Sequence, residues 1–302
     1  MEKPTFKAKS ETSGKGKQVL PMDALTIDVE DWFHILDTPA MPDHEHWDSL
    51  ESRVEQNMEK ILDLLNGQNV RATFFWLGWI AERHPGLLRR CMQEGHEIAC
   101  HGYGHVLAYQ VGPKRFQEDI HRGKMVLEAI TGKAVTGFRA PGFGITDRSS
   151  WAFDEICKAG YTYDSSVFPL SHGHGGIQNS QLGCYTIKTS AGELIEFPMS
   201  AVEILGQRIS MFGGGYLRLF PWTLIRWGID KVHKDGHPVI IYVHPREVDP
   251  NHPRLPLSLF RRFKCYVGLN STYTKLVCLS QKLNLSTMTE LVDRFLIRTR
   301  AA

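Results

Sequence analysis

The sequence predicts an α/β protein in which a parallel sheet is covered by helices. From about residue 22 onward, short apolar runs alternate with amphipathic segments, which is the pattern of repeated strand–helix units. About six or seven such units follow one another, and this number favours a barrel, closed or incomplete, over an open sheet. The run at 238–243 is apolar throughout, as expected of a parallel strand buried on both faces.

The first half of the chain supplies most of these units. A strand is predicted at 24–28, followed by a helix at 49–66, where Val54, Met58, Ile61, Leu62 and Leu65 recur at helical spacing. The β-branched and aromatic run at 71–77 predicts a second strand, and 96–100 a third. Helices through 87–92 and 116–130 end at glycines, as helices commonly do.

The second half repeats the pattern with one interruption. Strands are predicted at 136–139 and 161–165, with a helix at 148–159 between them. The Gly- and Ser-rich stretch at 172–215 breaks the rhythm, with short strands expected at 184–188 and 194–197. A helix at 221–234, with proline at its start, leads to the apolar strand at 238–243.

Length and composition are those of an ordinary globular protein. The chain has 302 residues, of which 42% are hydrophobic and 23% charged, and its net charge is only +2. This small charge, without a basic stripe interleaved with aromatics, predicts no nucleic-acid partner. No GxGxxG or Walker motif is present, which argues against a nucleotide enzyme. No window approaches 18 consecutive apolar residues, so no membrane span is predicted.

The composition also divides the chain into three parts. Residues 1–21 are rich in Lys, Ser and Gly without an apolar signal region, which predicts a disordered N-terminal extension. Residues 22–255 form the predicted catalytic domain, and residues 256–302 a helical extension packed on the barrel. The six cysteines lack CxxC spacing and several lie among apolar neighbours, as reduced thiols do. We therefore expect a cytoplasmic location.

Polar residues at the ends of predicted strands are the candidates for chemistry, because parallel barrels place their active sites there. Asp28, Glu30 and Asp31 follow the first strand. Asp28 and Glu30 share a face of an extended chain, and two close carboxylates repel unless a cation or a proton holds them. The alternative is a solvated acidic turn.

Two histidines follow the third predicted strand. His101 and His105 lie four residues apart, so they can converge on one metal if the segment turns as a helix does. An HxxxH pair alone is a weak signal. With a carboxylate at another strand end, however, it supplies two imidazoles and one carboxylate, the ligand set of a catalytic zinc or related site.

Two further strand ends carry charged or titratable groups. Arg139 follows the strand at 136–139 and is suited to orienting a carboxylate through paired hydrogen bonds; the alternative is a surface ion pair. His244 follows the apolar strand at 238–243, and imidazole suits proton transfer near neutral pH. The alternative for His244 is a structural cap of the strand.

These four sites, in this order, resemble the polysaccharide deacetylase family, the NodB-like carbohydrate esterases. The resemblance covers residues 22 to 250 and implies a distorted (β/α)7-type barrel, here with extra C-terminal helices. It implies a hydrolase that removes N-acetyl (or O-acetyl) groups from a sugar polymer. The family's first motif usually ends in two adjacent aspartates, whereas Val29 holds the second place here; a sub-branch spaces its acids as Asp28 and Glu30 are spaced.

The resemblance also implies roles for individual residues. Asp28 becomes the general base, oriented by Arg139, and His244 the general acid. Glu30, His101 and His105 hold one divalent metal ion, expected to be Zn²⁺, with Co²⁺, Ni²⁺ or Mn²⁺ as alternatives. Asp31 is an alternative carboxylate ligand. The remaining candidates are Asp164, which either orients His244 or caps a turn, and the substrate contacts Trp32, Pro141 and Phe143.

A narrower likeness begins at the segment from His244 to Pro250 and extends through 262–269. It resembles the deacetylases encoded with exosortase-associated exopolysaccharide export systems, which implies an acetylated amino-sugar polymer or its lipid-linked precursor. Two other functions remain open: an allantoinase-like hydrolase of a small cyclic amide, and a non-catalytic sugar-binding homologue.

Overall fold

The repeated strand–helix pattern forms one large sheet in a computed structural model of the chain, which describes residues 21–36, 44–171 and 175–301. The extension predicted for residues 1–21 lies, except for its last residue, outside the described residues. The strands are β1 (Met22–Val29), β2 (Thr73–Trp76), β3 (Glu97–Cys100), β4 (Gly137–Phe138), β5 (Tyr163–Asp164), β6 (Tyr185–Thr189), β7 (Gly192–Glu196), β8 (Ala201–Ile204), β9 (Gln207–Ser210), β10 (Ile240–Val243) and β11 (Asn284–Ser286).

Seven parallel strands carry the fold. They are hydrogen-bonded in the order β10-β1-β2-β3-β4-β5-β7. The antiparallel strand β6 pairs with β7, and β8 and β9 form a separate hairpin. Because neighbouring strands in this order are parallel, the carboxyl ends of all seven point the same way; β7 is reached through the hairpin with β6, and the others through crossovers. The predicted (β/α)7-type α/β architecture is confirmed.

Ten helices accompany the strands in the described part of the chain. They are α1 (Val54–Gly67), α2 (Gly78–Arg83), α3 (Pro85–Gln93), α4 (Ala108–Thr131), α5 (Trp151–Lys158), α6 (Gly214–Leu219), α7 (Trp222–Lys234), α8 (Leu259–Tyr266), α9 (Leu269–Lys282) and α10 (Met288–Ala301). Among these residues, no helix has both the length and the apolar content required to cross a membrane.

The first helix begins later than predicted. The prediction placed its start at residue 49, but residues 44–49 form a 3-10 helix and α1 starts at Val54. The start is fixed by a distant side chain, since Asp31 Oδ2 accepts the backbone N–H groups of Arg53 (2.9 Å) and Val54 (3.2 Å). Such capping from outside the helix leaves no local sequence signal.

The two faces of β1 show how the barrel wall is built. Leu25, Ile27 and Val29 belong to the larger apolar cluster, which includes the buried face of α1. Ala24 instead belongs to a smaller cluster that includes Phe75 of β2. Because side chains alternate along a strand, Ala24 shares its face with Thr26 and Asp28, and this inner face becomes polar toward the carboxyl end.

The C-terminal extension is more than the helical addition predicted for residues 256–302. After α9, the strand β11 pairs in parallel with the first residues of β1, and the Met288 amide then donates to Thr73 Oγ1 at 2.8 Å. A three-residue strand without apolar alternation is too short to recognise in a sequence. The C-terminal segment is thus part of the central sheet.

A serine side chain helps to close the barrel where strand pairing is interrupted. Ser200, just after β7, is 6% exposed. Its hydroxyl accepts the N–H of Ile240 at 2.8 Å and donates to the carbonyl of Pro238 at 3.2 Å. Farther along, the Tyr242 amide donates to the carbonyl of Phe212 at 3.1 Å. Irregular backbone thus replaces a regular strand beside β10.

Replacing the bridging serine should therefore destabilise the barrel. In Ser200→Ala the buried amide of Ile240 loses its acceptor, and we expect the free energy of unfolding to fall by about 1–3 kcal/mol. Urea denaturation followed by circular dichroism measures this change. Ser150→Ala, at an exposed position, is the control; an equal effect of both substitutions would contradict the bridging role.

Candidate active site

The site lies at the carboxyl ends of β1, β3, β4 and β10, where the sequence predicted it. Ligand atoms from Glu30, His101 and His105 all lie within 4.8 Å of one another, and all three residues are buried. Glu30 reaches this cluster because the chain turns at the end of β1, where its amide donates to the carbonyl of Asp28 at 2.9 Å.

The turn that carries the two histidines is held by an aspartate from α4. Asp119 accepts the amides of Tyr103 (2.9 Å) and Gly104 (2.8 Å) through its two oxygens. Gly102 has a φ of +79°, and a Cβ there would lie 2.6 Å from Asp119. His105 itself has a φ of +55°, a sparsely populated conformation for a side chain of this size. Local strain of this kind is common at functional sites.

The hydrogen bonds of His101 leave room for a cation, whether a metal ion or a proton, between these groups. Its Nδ1 lies 2.7 Å from the carbonyl oxygen of Arg139, which can only accept, so Nδ1 carries the proton. In the neutral ring, Nε2 then presents a lone pair to Glu30 Oε1, 3.2 Å away, which is also an acceptor. His105 Nε2 lies 2.9 Å from the same oxygen. Two imidazoles and a carboxylate aimed at one point match a divalent metal site.

The carboxylate predicted to act as base is held by a buried arginine, as expected. Arg139 Nη1 donates to Asp28 Oδ1 and to Thr26 Oγ1, both at 2.7 Å. The rest of the guanidinium donates to the carbonyl and hydroxyl oxygens of Ser165, both at 3.1 Å, and stacks 4.0 Å from the ring of Phe75. Asp28 therefore has one fixed oxygen on Arg139.

The residue that orients His244 is Glu247. Of the two roles predicted for Asp164, orienting His244 is therefore wrong. Nδ1 of His244 lies 2.6 Å from Glu247 Oε1, and the other oxygen of Glu247 lies 3.2 Å from Arg218 Nη1. Burial raises the pKa of Glu247, but Arg218 and His244 outweigh it and lower the pKa to about 2. Glu247 is thus ionised at neutral pH and accepts the Nδ1 proton. The Nε2 atom lies 3.7 Å from Glu30 Oε1.

Asp164 is bound elsewhere, in agreement with its other predicted role in a turn. Its Oδ1 accepts the hydroxyl of Ser166 at 2.6 Å, and its carboxyl group also bonds to that of Glu196. Burial raises the pKa of Asp164, while burial and the neighbouring Asp164 raise that of Glu196 well above its ordinary value. A proton shared between these two buried acids accounts for their closeness.

Asp31, the alternative metal ligand, serves the backbone instead. Besides the amides at the start of α1, its carboxylate accepts the N–H of Trp32 (2.8 Å) and the hydroxyl of Ser52 (2.7 Å). These four donors occupy both oxygens, and Asp31 is not among the residues whose ligand atoms converge with those of His101 and His105. The structure therefore favours Glu30 as the carboxylate of the metal centre.

The predicted substrate contacts are mostly buried. Trp32 is 7% exposed and donates its indole N–H to the carbonyl of Glu51, so it offers no open ring face as a sugar platform. Pro141 is also buried. Phe143 packs on Tyr242 with ring centroids 4.8 Å apart, and its amide donates to the carbonyl of Ala140. The Phe143 amide is therefore already hydrogen-bonded within the protein. Contacts from Pro141 and Phe143 to a sugar stay predictions.

Three charged residues of the site were not predicted. Arg246 Nη1 donates to Glu30 Oε2 at 2.8 Å and leaves Oε1 facing the histidines. Glu247 and Arg218 form the chain behind His244. The segment from His244 to Glu247 was noticed as a motif, and its alternating basic and acidic residues were the available signal. Arg218 lies on a six-residue helix with no comparable signal.

Two families of known proteins match consecutive parts of the chain. Residues 45–163 match the family described as polysaccharide deacetylase. Residues 165–293 match a domain of unknown function, DUF3473. His101, His105 and Arg139 lie in the first match and His244 in the second, whereas Asp28 and Glu30 precede both.

Curated relatives are similar over short stretches. Two peptidoglycan-N-acetylglucosamine deacetylases of Bacillus cereus are 35% identical over 97 residues and 34% identical over 102 residues. These alignments cover 32% and 34% of this chain, and the chain spans only 35% and 46% of the two relatives.

One solved structure covers nearly the whole chain. A protein from Mycobacterium smegmatis assigned to the polysaccharide deacetylases matches 96% of this chain and 95% of its own length, with a TM-score of 0.64 and 19% identity. A second, from Pseudomonas aeruginosa, covers 86% of this chain and 83% of its own, with a TM-score of 0.55 and 14% identity. At such identities the likeness is one of fold.

Metal retention separates the two candidate carboxylate ligands. His101→Ala and His105→Ala should lose bound metal, measured by elemental analysis of the purified protein, because each removes one of three ligands. Asp31→Ala should keep its metal and lose about 1–2 kcal/mol of stability through the missing cap. His121→Ala, an exposed histidine of α4, is the control. Metal loss in Asp31→Ala would contradict the assignment of Glu30.

The low pKa of Glu247 predicts how its contribution to stability varies with pH. A depressed carboxyl pKa stabilises the fold above the unfolded-state value of 4.5, and this contribution is lost as pH falls toward about 2. Glu247→Gln should therefore be less stable than the parent by roughly 3 kcal/mol at neutral pH. The difference should shrink below pH 4.5.

Urea denaturation across this pH range measures the effect. Glu59→Gln, at an exposed position of α1, is the matched control. A difference between Glu247→Gln and the parent that stays constant with pH would show that Glu247 is not ionised in the folded protein.

Proposed function

We propose that this chain, whose residues 45–163 match the polysaccharide deacetylase family, hydrolyses N-acetyl groups of an amino-sugar polysaccharide with the help of one divalent metal ion. One observation carries the proposal. Two histidines and one carboxylate form a buried centre. Beside it are Asp28, a carboxylate fixed at one strand end, and His244, an oriented imidazole at another. Amide hydrolysis needs these three kinds of group.

The metal would be held by Glu30, His101 and His105, and Zn²⁺ is the ion that best suits this donor set, with Co²⁺, Ni²⁺ or Mn²⁺ as alternatives. When bound, the ion supplies positive charge that acidifies water and polarises the acetyl carbonyl. Burial raises the pKa of Glu30, but His105 and His244 outweigh it and hold the pKa well below its usual range. Glu30 is thereby kept as the carboxylate that a cation requires.

Asp28 is the general base of the proposed reaction. It accepts a proton from the attacking water as the oxygen of that water bonds to the acetyl carbon. Arg139 fixes Oδ1 of Asp28 and leaves Oδ2 as the oxygen available to the proton. A base with one immobilised oxygen loses little orientational freedom when the water arrives.

His244 is the general acid. It donates a proton from Nε2 to the amine nitrogen as the carbon–nitrogen bond breaks, which releases acetate and the free amine. Glu247 accepts the Nδ1 proton at 2.6 Å, so it fixes the ring orientation and stabilises the protonated imidazole. Arg218 holds Glu247 in turn. The acidic partner of His244 is thus the residue three positions after it.

The natural substrate we propose is an acetylated amino-sugar polymer of a bacterial exopolysaccharide, or its lipid-linked precursor. The segment from His244 to Pro250 supports this through its likeness to exosortase-associated deacetylases. All six cysteines are free, which supports a reducing compartment such as the cytoplasm.

Acetate release tests the assignment of base and acid. Asp28→Asn and His244→Asn should each lower kcat for N-acetylglucosamine oligomers by about 10²-fold or more while keeping the metal content of the parent. Chelation should abolish release, and added Zn²⁺ should restore it. Asp293→Asn, at an exposed position of α10, is the matched control.

The other outcomes contradict the proposal. Full activity of Asp28→Asn would show that Asp28 is not the general base. Bound metal without acetate release would favour a hydrolase of small cyclic amides on the same scaffold. Neither metal nor acetate release would favour a non-catalytic sugar-binding protein.

A further inference from the structure

An exposed apolar and basic helix lies beside the active site without any described element covering it. Within α8, Leu259 is 85% exposed, Phe260 75% and Phe263 53%. Only Tyr266 of its eight residues is buried. Three large apolar side chains this exposed within one eight-residue helix form a patch, which in a folded protein marks a surface that binds something.

The charge of the surrounding segment is one-sided. Residues 250–289 contain six Lys or Arg residues and no Asp or Glu, whereas the whole chain has a net charge of only +2. The remaining residues are therefore net negative, by 2 − 6 = −4. On α8 itself, Arg262 and Lys264 are exposed, and the Lys264 ammonium lies 5.3 Å from the ring centroid of Phe260.

The position of α8 relative to the active site is fixed by two arginines. Arg218, which holds Glu247, donates from Nη2 to the carbonyl of Lys264 at 3.0 Å. Arg261 donates to the carbonyl of Leu36, which follows the turn that carries Glu30. Helix α8 is thus attached to segments that form the catalytic end of the barrel, while its apolar side chains stay exposed.

We propose that α8 docks this protein onto an anionic lipid bilayer. The boundary between head groups and acyl chains would receive the apolar side chains of Leu259, Phe260 and Phe263. Lipid phosphates would contact Arg262 and Lys264, as they contact the basic residues of interfacial amphipathic helices. Charge distinguishes this occupant from a second copy of the chain, because a second copy would bring the same cations against these.

Such docking would hold the catalytic end of the barrel at the membrane surface. If the proposed deacetylation is correct, the acetylated sugar that the enzyme reaches there is one carried on a lipid. This consequence rests on the proposed function, but bilayer binding by α8 does not.

Vesicle flotation of the full chain tests the docking. Vesicles of equal parts phosphatidylglycerol and phosphatidylcholine should carry the protein, with binding that weakens as salt is added; pure phosphatidylcholine vesicles should carry much less. Phe260→Ser with Phe263→Ser should lower the partition coefficient by about tenfold or more per ring. Arg262→Glu with Lys264→Glu should lower it by at least about 25-fold, from about fivefold per cation.

Matched substitutions elsewhere separate this surface from overall charge and hydrophobicity. Met125→Ser removes an apolar side chain that is 57% exposed, and Lys114→Glu with Arg115→Glu reverses two exposed charges of α4. Both should bind vesicles as the parent does. Acetate release from soluble oligomers should be unchanged in the α8 variants, so a failure of docking and a failure of the proposed activity are told apart.

Two results would overturn the proposal. One is flotation that is absent or is equal in the parent and in the Phe260→Ser, Phe263→Ser variant. The other is a dimer in sedimentation that this variant dissociates while vesicles bind neither protein, which would make a second copy the occupant of α8.

Discussion

The buried guanidinium of Arg139 is the interaction on which the catalytic end of the barrel depends. Its side chain joins Thr26 and Asp28 on β1 to Ser165, which follows β5, and its own carbonyl fixes the tautomer of His101. A buried ion pair of this kind is costly to desolvate and contributes little net stability, yet loss of either partner would leave an uncompensated buried charge. The pair specifies geometry more than it stabilises the fold.

The parallel arrangement of the strands explains why the residues of the site were easier to predict from the sequence than the elements around it. Strands and their approximate ends follow from apolar periodicity, and residues at strand ends meet because the strands are parallel. Asp28, His101, His105 and Arg139 could therefore be predicted to lie at one end of the sheet, and the structure brings them together there. The partner of His244 was assigned to Asp164 as one of two roles, and this was wrong because a side-chain pairing depends on distances that no periodicity encodes.

The elements that were misplaced failed for the same physical reason. The start of α1 is set by Asp31, more than twenty residues away in sequence, and β11 is a strand because the first residues of β1 extend beyond β2 and pair with it. The link from Ser200 to β10 uses a side-chain hydroxyl, within the stretch at 172–215 where the strand–helix pattern is interrupted. In each case a tertiary contact determines the local structure, whereas prediction from a sequence pattern relies on local signals.

The pairing of β1 with the last third of the chain has a consequence for synthesis of the protein. Thr26 donates to the carbonyl of Ile241, 215 positions later, and the next strand to join β1 is β11 near the C-terminus. The strand that carries Asp28 and leads into Glu30 thus completes its pairing only after residues 240–286 have been synthesised. Contacts this distant form slowly because loop closure must precede them. A nascent chain would therefore carry Asp28 and Glu30 long before the strand that brings His244 beside them is available.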